Sequence, residues 1–324
     1  MEPFIPPFDF QQHVVAPWSE NLALFGWIAL MGFLVATACG LIGNYLILRR
    51  MALVGDAISH SVLPGIAIAF LLSESRQNWV MFLGALAAGI ITTLLIEVIH
   101  QRTRVKQDSA IGIVFSTLFA IGVILISLYA NQIDLDADCV LYGEISFVPL
   151  EPMVTLGGRE IAPEPVVMMG GVALLIGGLI LVFYKELLVS SFDPGLAASL
   201  GIRPGLVHYS LMCALSAVVV SAFQSVGAIL VIAMLILPGA TSYLLTHRLP
   251  TMMILSLIHS AISAVIGMHL GIWLNCSIAA AMVVTGGFLF VLAWIFSPSQ
   301  GLLRRFRKQR LEEDQTSETI AASA

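Results

Sequence analysis

The decisive stretch of this sequence is Met51-Ala-Leu-Val-Gly-Asp-Ala-Ile-Ser-His-Ser-Val-Leu-Pro-Gly65, where an acid and a histidine interrupt a mostly apolar chain. Asp56 and His60 are four residues apart, so a helix would place them on one face with Cβ atoms about 6 Å apart. An acid near the middle of a membrane span costs about 3 kcal/mol on insertion scales. An acid beside a histidine in such a span therefore indicates a functional site.

The composition around this stretch is typical of a polytopic membrane protein. Of the 324 residues, 58% are hydrophobic and only 11% are charged, and the mean hydropathy is +0.95. Apolar runs longer than about 18 residues recur along the chain, which excludes a soluble core and a barrel of short alternating strands. The predicted fold class is therefore an all-α polytopic membrane protein with eight or nine transmembrane helices.

Hydropathy predicts nine spans, at 22–48, 56–73, 79–100, 109–130, 166–188, 206–223, 226–246, 251–271 and 275–297. The separations at Gln224-Ser225 and at Trp273-Leu274-Asn275 are short, so eight spans remain possible. The predicted organisation is an N-terminal segment over 1–21, a transmembrane domain over 22–297 and a tail over 298–324. The first segment carries acids and prolines instead of a basic leader, so we expect the first span to act as its own insertion signal.

The lysine and arginine residues predict the orientation of the spans. With the N-terminus outside, 13 of the 15 basic residues fall on the inner side and only Arg76 and Arg159 lie outside. The long outer loop over 131–165 then holds seven acidic residues, either to concentrate cations at the outer mouth or simply because a surface loop is polar. Its Pro and Gly residues predict turns or a short hairpin.

A second loop, over 190–203 on the inner side, contains a short predicted helix. Asp193 suits the N-cap, Pro194 suits the first helical position, and Gly201 is placed to end the helix after about two turns. Such a helix is either an ordinary surface helix or a docking element for a soluble partner.

The chain lacks the motifs of an enzyme that binds ATP. No GxxxxGK[ST], GxSxG or HExxH pattern occurs, so the protein is not expected to hydrolyse ATP or run other hydrolytic chemistry itself. What remains is a conduit with one polar pair inside it and a docking helix below it.

The carboxylate of Asp56 and the imidazole of His60 are ligands that suit zinc, manganese or ferrous iron, and suit copper(I) poorly. Two ligands are too few for these ions, so other spans, water or a second copy of the chain must supply the rest. In the alternative interpretation Asp56 only caps its span or pairs with Arg50. The other candidates for lining a path are Ser59, Gln224, His259 and Glu97, of which His259 is equally explained as a packing histidine.

These residues resemble the signature of a known family. The stretch from Leu48 to Gly65 looks like that of the permease subunits of bacterial ABC importers for zinc, manganese and iron(II). Three further stretches are similar: Leu141-Tyr-Gly-Glu144, Phe192-Asp-Pro-Gly-Leu-Ala-Ala-Ser-Leu-Gly-Ile202, and Val226-Gly-Ala-Ile-Leu-Val-Ile-Ala-Met-Leu-Ile-Leu-Pro-Gly-Ala240.

The resemblance implies an architecture and a set of partners. The fold would be similar to type II ABC importer permeases, in a bacterial inner (plasma) membrane, with two permease chains around one path. The partners would be a cytoplasmic ATP-binding subunit, an extracytoplasmic metal-binding protein and a second permease, with no nucleic acid. The 145–165 segment resembles systems with two different permeases, so a heterodimer with a paralogue is as open as a homodimer.

The resemblance also implies roles for residues. Asp56 and His60 would contact the transported Mn²⁺ or Zn²⁺, with Fe²⁺ as a further possibility, and no cofactor would be bound permanently. The 192–202 helix would be the coupling helix on the ATPase, with the contacts drawn from Asp193, Pro194, Ala197, Leu200 and Gly201. The rival functions are a permease for a metal chelate or siderophore and a secondary metal transporter, and the sequence does not select the metal.

Overall fold

The computed structural model describes residues 6–73, 78–129, 145–298 and 301–302 of the chain. Its α-helices are α1 (Ala16–Ser19), α2 (Leu22–Leu48), α3 (Val54–Ser73), α4 (Asn78–Arg102), α5 (Gln107–Tyr129), α6 (Glu164–Val182), α7 (Tyr184–Phe192), α8 (Pro194–Ser199), α9 (Pro204–Leu245), α10 (Leu249–Leu274) and α11 (Ile278–Phe296). A π-helical turn (Gln11–Val15) precedes α1. A 3₁₀ helix (Ile145–Leu150) and two short strands, β1 (Met153–Leu156) and β2 (Arg159–Pro163), precede α6.

Eight helical stretches in the described residues are long and apolar enough to cross a membrane. They are Leu22–Leu48, Val54–Ser73, Trp79–Arg102, Gln107–Tyr129, Glu164–Val182, Pro204–Phe223, Leu249–Leu274 and Ile278–Phe296. A shorter apolar stretch, Leu230–Leu245, forms the second part of α9. The predicted all-α membrane fold with eight or nine spans is therefore confirmed.

Helix α9 reverses direction inside its 42 residues. Near its start, His208 lies 3.5 Å from the guanidinium of Arg49, and near its end Ser242 bonds to Asn44 at 3.1 Å. A straight helix from residue 208 to residue 242 would be about 51 Å long, yet both partners lie within the last turns of α2. The chain turns back at Gly227, whose φ of 73° and ψ of 167° are non-helical.

Two predicted boundaries need correction. The separation expected at Gln224-Ser225 lies at Gly227, because a positive φ is a conformation that glycine adopts without the steric cost of a Cβ atom. The span expected over 166–188 ends at Val182. Phe183 leaves the helical conformation, with φ −98° and ψ 25°, and the polar start of α7 follows it as a separate helix.

The helix ends define two faces of the bundle. Eight of the nine described basic residues lie at one end, which we call the basic face: Arg49, Arg50, Arg102, Arg104, Lys106, Lys185, Arg203 and Arg248. The β1–β2 hairpin with Arg159 lies at the other end, the hairpin face.

Two contacts place the ends of the described chain on opposite faces. Trp273 donates its indole N–H to the carbonyl of Pro6 at 3.0 Å, at the end of α10 that leads to α11. Ser297, just after α11, donates to the carbonyl of Leu244 at 2.6 Å, at the end of α9 on the basic face. Among the described residues, the eight long apolar helices together with the shorter arm Leu230–Leu245 account for ends that lie on opposite faces.

Residues 145–163 form compact structure on the hairpin face. Strands β1 and β2 pair antiparallel, from Met153 opposite Pro163 to Leu156 opposite Arg159, with an irregularity between Val154 and Thr155. The prediction of turns or a short hairpin in this loop is confirmed. The first part of the predicted outer loop, including Leu141-Tyr-Gly-Glu144, lies outside the described residues, as does the tail from 303 onward.

Small residues allow the helices around the decisive stretch to pack closely. A Cβ atom built on Gly65 of α3 would lie 2.5 Å from the Cβ of Ala88 in α4 and would also collide with the carbonyl of Gly84. In lipid the hydrophobic effect does not drive helices together. Membrane helices therefore associate through close van der Waals packing, which small residues allow. The close contact with α4 therefore helps to fix the position of α3.

A buried polar cluster fixes the basic-face ends of α2, α9 and α10 to one another. Asn44 of α2 is fully buried, and its amide nitrogen donates to Ser256 at 3.0 Å while its carbonyl oxygen accepts from Ser242 at 3.1 Å. Ser256 also lies 3.2 Å from the carbonyl of Pro238. Because every member has a partner, the cluster stabilises the packing instead of costing unpaired polar groups.

Candidate functional site

A tight turn between α2 and α3 delivers the acid of the site. Met51 donates its N–H to the carbonyl of Leu46 at 2.8 Å and Arg50 donates to Ile47 at 3.1 Å, which is the bond pattern of a Schellman helix end. Arg50 occupies the left-handed position of this motif, with φ 59°, where glycine is usual. Helix α3 begins only four residues later, and Asp56 falls in its first turn.

Asp56 and His60 form the pair that the spacing predicted. The Nε2 atom of His60 lies 3.3 Å from Oδ1 of Asp56, and their side chains are 26% and 41% exposed, respectively. The imidazole packs against two rings of α5, with centroid distances of 5.1 Å to Phe115 and 5.8 Å to Phe119. The pair is thus walled by aromatic rings on one side and open on another.

The open side of the Asp56–His60 pair leaves room for metal ligands from outside this chain. No group of three or more His, Cys, Asp or Glu side chains placed to hold a metal ion occurs among the described residues. At this opening the described residues present one carboxylate and one imidazole. An ion bound there would take its other ligands from water or from a second subunit, and an incomplete ligand set allows release, which a transport site requires.

The other candidates for lining a path are spread through the bundle. Ser59 is buried, and its hydroxyl donates to the carbonyl of Gly55 one turn earlier. His259 is 4% exposed, and neither ring nitrogen has a hydrogen-bond partner among the described residues. Gln224 lies in α9 three residues before the reversal at Gly227, and its side chain is outside the described set. Their role in a path stays a prediction.

The short helix α8 has the caps that its sequence predicted. Oδ1 of Asp193 accepts the N–H of Leu196 at 2.9 Å, Pro194 is the first helical residue, and Gly201 ends the segment with φ 83°. Among the residues predicted to contact an ATPase, Leu200 is exposed but Ala197 is fully buried within the chain.

Two exposed apolar side chains, one within α8 and one just before it, were not among the predicted contact residues. Leu196 is 49% exposed and Phe192 is 60% exposed. The capping residues in the sequence fix where α8 begins. The caps do not show which side of a six-residue helix faces outward. The exposure of Leu196 and Phe192 could therefore not be predicted from them.

A second carboxylate–imidazole pair lies on the basic face. Nε2 of His208 in α9 is 3.1 Å from Oε2 of Glu97 in α4, and the side chains are 17% and 14% exposed, respectively. Glu97 was a candidate from sequence alone, but its partner was not. The two residues are 111 positions apart, so no local spacing could have joined them.

Comparisons with known proteins agree with this architecture. The model of the ABC 3 transport family matches residues 22–297. A manganese transport system membrane protein, MntD of Bacillus subtilis, is 47% identical over 279 residues, covering 86% of this chain and 94% of its own. A zinc transport system membrane protein, TroD of Treponema pallidum, is 43% identical over 278 residues, covering 86% and 75%.

Solved structures match as well. The structure of PsaBC from Streptococcus pneumoniae in complex with Fab superposes with a TM-score of 0.74 at 32% identity, covering 91% of this chain and 99% of that one. An inward-facing metal-chelate type ABC transporter matches with a TM-score of 0.59 at 17% identity, which shows a shared fold alone. The family resemblance seen in the motifs is thereby confirmed, and the chain belongs to the ABC 3 transport family.

Proposed function

We propose that this protein is the membrane-spanning permease of an ABC importer that takes up a divalent transition metal ion, manganese or zinc. The observation that carries the proposal is the partly exposed Asp56–His60 pair, held at 3.3 Å inside a helix apolar enough to span a membrane. Ionisable residues in such a position are expensive and mark ion pathways. The similarity to MntD and TroD, membrane proteins of a manganese and a zinc transport system, supports this cargo.

The pair suits transport because its two donors bind the ion without enclosing it. The carboxylate of Asp56 is a hard oxygen donor that manganese accepts well, and the imidazole of His60 suits zinc, manganese and iron. A second permease chain, either a copy or a paralogue, faces the open side of the pair. Together the two chains place the ion between carboxylates, imidazoles and water, so it passes on when the subunits move.

The basic face is cytoplasmic in this proposal. Cytoplasmic loops of membrane proteins carry an excess of Lys and Arg, and eight of the nine described basic residues lie on that face. The N-terminus and the β1–β2 hairpin then face outward, toward an extracytoplasmic metal-binding protein, in a bacterial plasma membrane. The supporting observation is that the two ends of the described chain lie on opposite faces.

Helix α8 is the contact with the separate ATP-binding subunit. It lies on the cytoplasmic side and exposes Leu196 and Leu200, with Phe192 just before it. Apolar side chains on a short, capped helix in a water-facing loop fit a groove on a soluble partner. Because Ala197 is buried, we leave it out of the proposed ATPase contacts and include Leu196 instead. The proposed contacts are then Asp193, Pro194, Leu196, Leu200 and Gly201.

An uptake assay tests the site. Cells that lack their own copy of the gene carry wild-type, Asp56→Asn or His60→Gln permease, and accumulation of manganese, zinc and iron is measured. Both variants should lose accumulation of the physiological metal while the complex still assembles. Asp108→Asn is the matched control, because Asp108 is an exposed acid in the first turn of α5, outside any metal-binding group.

The same assay separates the rival functions. A permease for an organic chelate would keep transport in Asp56→Asn, and a secondary transporter would accumulate metal without the ATPase. Wild-type accumulation in Asp56→Asn with the ATPase present would refute the proposed site.

A further inference from the structure

Arg49 connects three separate elements on the basic face. Its Nε donates to the hydroxyl of Ser191 at 3.1 Å, and Nη2 donates to that of Ser190 at 3.3 Å, both near the end of α7. Its Nη1 lies 3.5 Å from Nδ1 of His208, near the start of α9. Arg49 itself directly follows α2.

The contacts of His208 fit one arrangement of donors and acceptors. A guanidinium has donors and no acceptor, so Nδ1 of His208 must accept from Arg49. In the tautomer that fits this contact, Nε2 carries the hydrogen and donates to Oε2 of Glu97 at 3.1 Å. The other carboxylate oxygen of Glu97 accepts from Gln101. A directional chain of bonds runs from the arginine through the imidazole to the acid.

This chain is enclosed enough to act as a rigid connection. His208 and Glu97 are less than one-fifth exposed, and Ser190 is 5% exposed. Burial lowers the pKa of the Arg49 guanidinium from its ordinary value, because water that would stabilise the charge is excluded. Because these groups are largely shielded from water, water competes little for their hydrogen bonds.

The connection lies between the two parts of the molecule that transport must link. Ser191 is two residues before Asp193, the N-cap of α8. Arg49 is seven residues before Asp56, and the short intervening turn is held by backbone hydrogen bonds from Arg50, Met51 and Val54. A displacement of α8 therefore has a direct route, through two serines and one guanidinium, to the turn from which α3 begins.

We infer that Arg49, held by Ser190, Ser191, His208 and Glu97, is the positioning residue that transmits movement of α8 to the Asp56–His60 pair. The inference rests on the proposed function, since it assumes that α8 contacts the ATPase and that the pair contacts the ion. Arg49 touches neither the ion nor the nucleotide. Its role is to keep α7 and α2 moving together.

The test measures coupling in the complete complex. Permease, ATPase and metal-binding protein are reconstituted in vesicles, and metal ions transported per ATP hydrolysed are measured with manganese and with zinc. Arg49→Gln should lower this ratio roughly tenfold while ATP hydrolysis continues. Arg49→Lys, which keeps the charge and can still reach one serine, should give an intermediate ratio.

Two further variants make the outcome decisive. Arg50→Gln removes the same charge one residue away, from an exposed position, and should keep the wild-type ratio. The double variant Ser190→Ala/Ser191→Ala removes the two hydroxyls that accept from Arg49 but keeps its charge. It should lower the ratio as Arg49→Gln does. If Arg49→Gln does not assemble, the double variant alone decides.

The result also separates this inference from the proposed function. A wild-type ratio in the serine double variant overturns the inference. If Asp56→Asn loses transport in the same vesicles, the proposed function stands even then. If Asp56→Asn transports normally, the proposed function itself has failed.

Discussion

Replacing Gly65 with alanine should loosen the contact that positions the Asp56–His60 helix. The added methyl group would lie 2.5 Å from the Cβ of Ala88. Carbon atoms in favourable contact are about 3.5–4.0 Å apart, so α3 and α4 must separate by about 1 Å. Overpacking of this kind costs about 1–3 kcal/mol, and a helical alanine returns about 1 kcal/mol over glycine through helix propensity.

A second glycine in the same bundle supplies the control. Gly112 of α5 has no atom within 4 Å of a built Cβ, so Gly112→Ala gains the same propensity without the collision. The difference between the two variants therefore isolates the steric cost, about 1–3 kcal/mol in the free energy of unfolding. Unfolding of the purified permease in mixed micelles, followed by tryptophan fluorescence, measures it.

This comparison has a clear negative outcome. If Gly65→Ala and Gly112→Ala unfold within about 0.5 kcal/mol of each other, α3 does not depend on close contact with α4. The reasoning that Gly65 positions the metal pair would then be wrong. If the predicted difference is found, Gly65→Ala should also reduce metal uptake although it touches neither ligand.

Three more predictions follow from contacts described above. Asp193→Ala should destabilise α8 by about 1 kcal/mol through loss of its N-cap and weaken ATPase copurification, whereas Asp193→Ser should retain both. Asn44→Leu should lower the unfolding free energy by about 1 kcal/mol for each lost hydrogen bond, because the two serines lose the Asn44 amide but keep each other and the carbonyls of Gly239 and Pro238; micellar unfolding would show this. His60→Asp should raise the ratio of manganese to zinc uptake, since an oxygen donor replaces the nitrogen that zinc favours; an unchanged ratio would separate selectivity from this residue.

The sequence predicts the spans well because hydrophobic length is a local property. Lipid requires about 20 apolar residues for each crossing, and the chain satisfies this independently in each segment. The same reasoning fails at Phe183, where the predicted span ran on to residue 188. Leu187 and Leu188 continue the apolar run, although the membrane-spanning helix has already ended at Val182.

The contact between Asp56 and His60 was predictable for a similar reason. Asp56 and His60 are one helical turn apart, so their meeting depends only on α3 being a helix. The Arg49–His208–Glu97 chain depends on how α2, α4, α7 and α9 pack, and no spacing in the sequence contains that information. The burial of Ala197 could not be predicted either, because a six-residue helix has too few positions for a sequence pattern to show which face is buried.

The reversal of α9 at a single glycine has a consequence for how the protein is made. A conventional pair of spans carries a hydrophilic loop that the translocation machinery must move across the bilayer. Here the two apolar arms meet at Gly227 with no intervening loop of non-helical residues. The arms can enter the lipid together as one helical hairpin, each satisfying its own backbone hydrogen bonds, and very little polar material has to reach the far side during biogenesis.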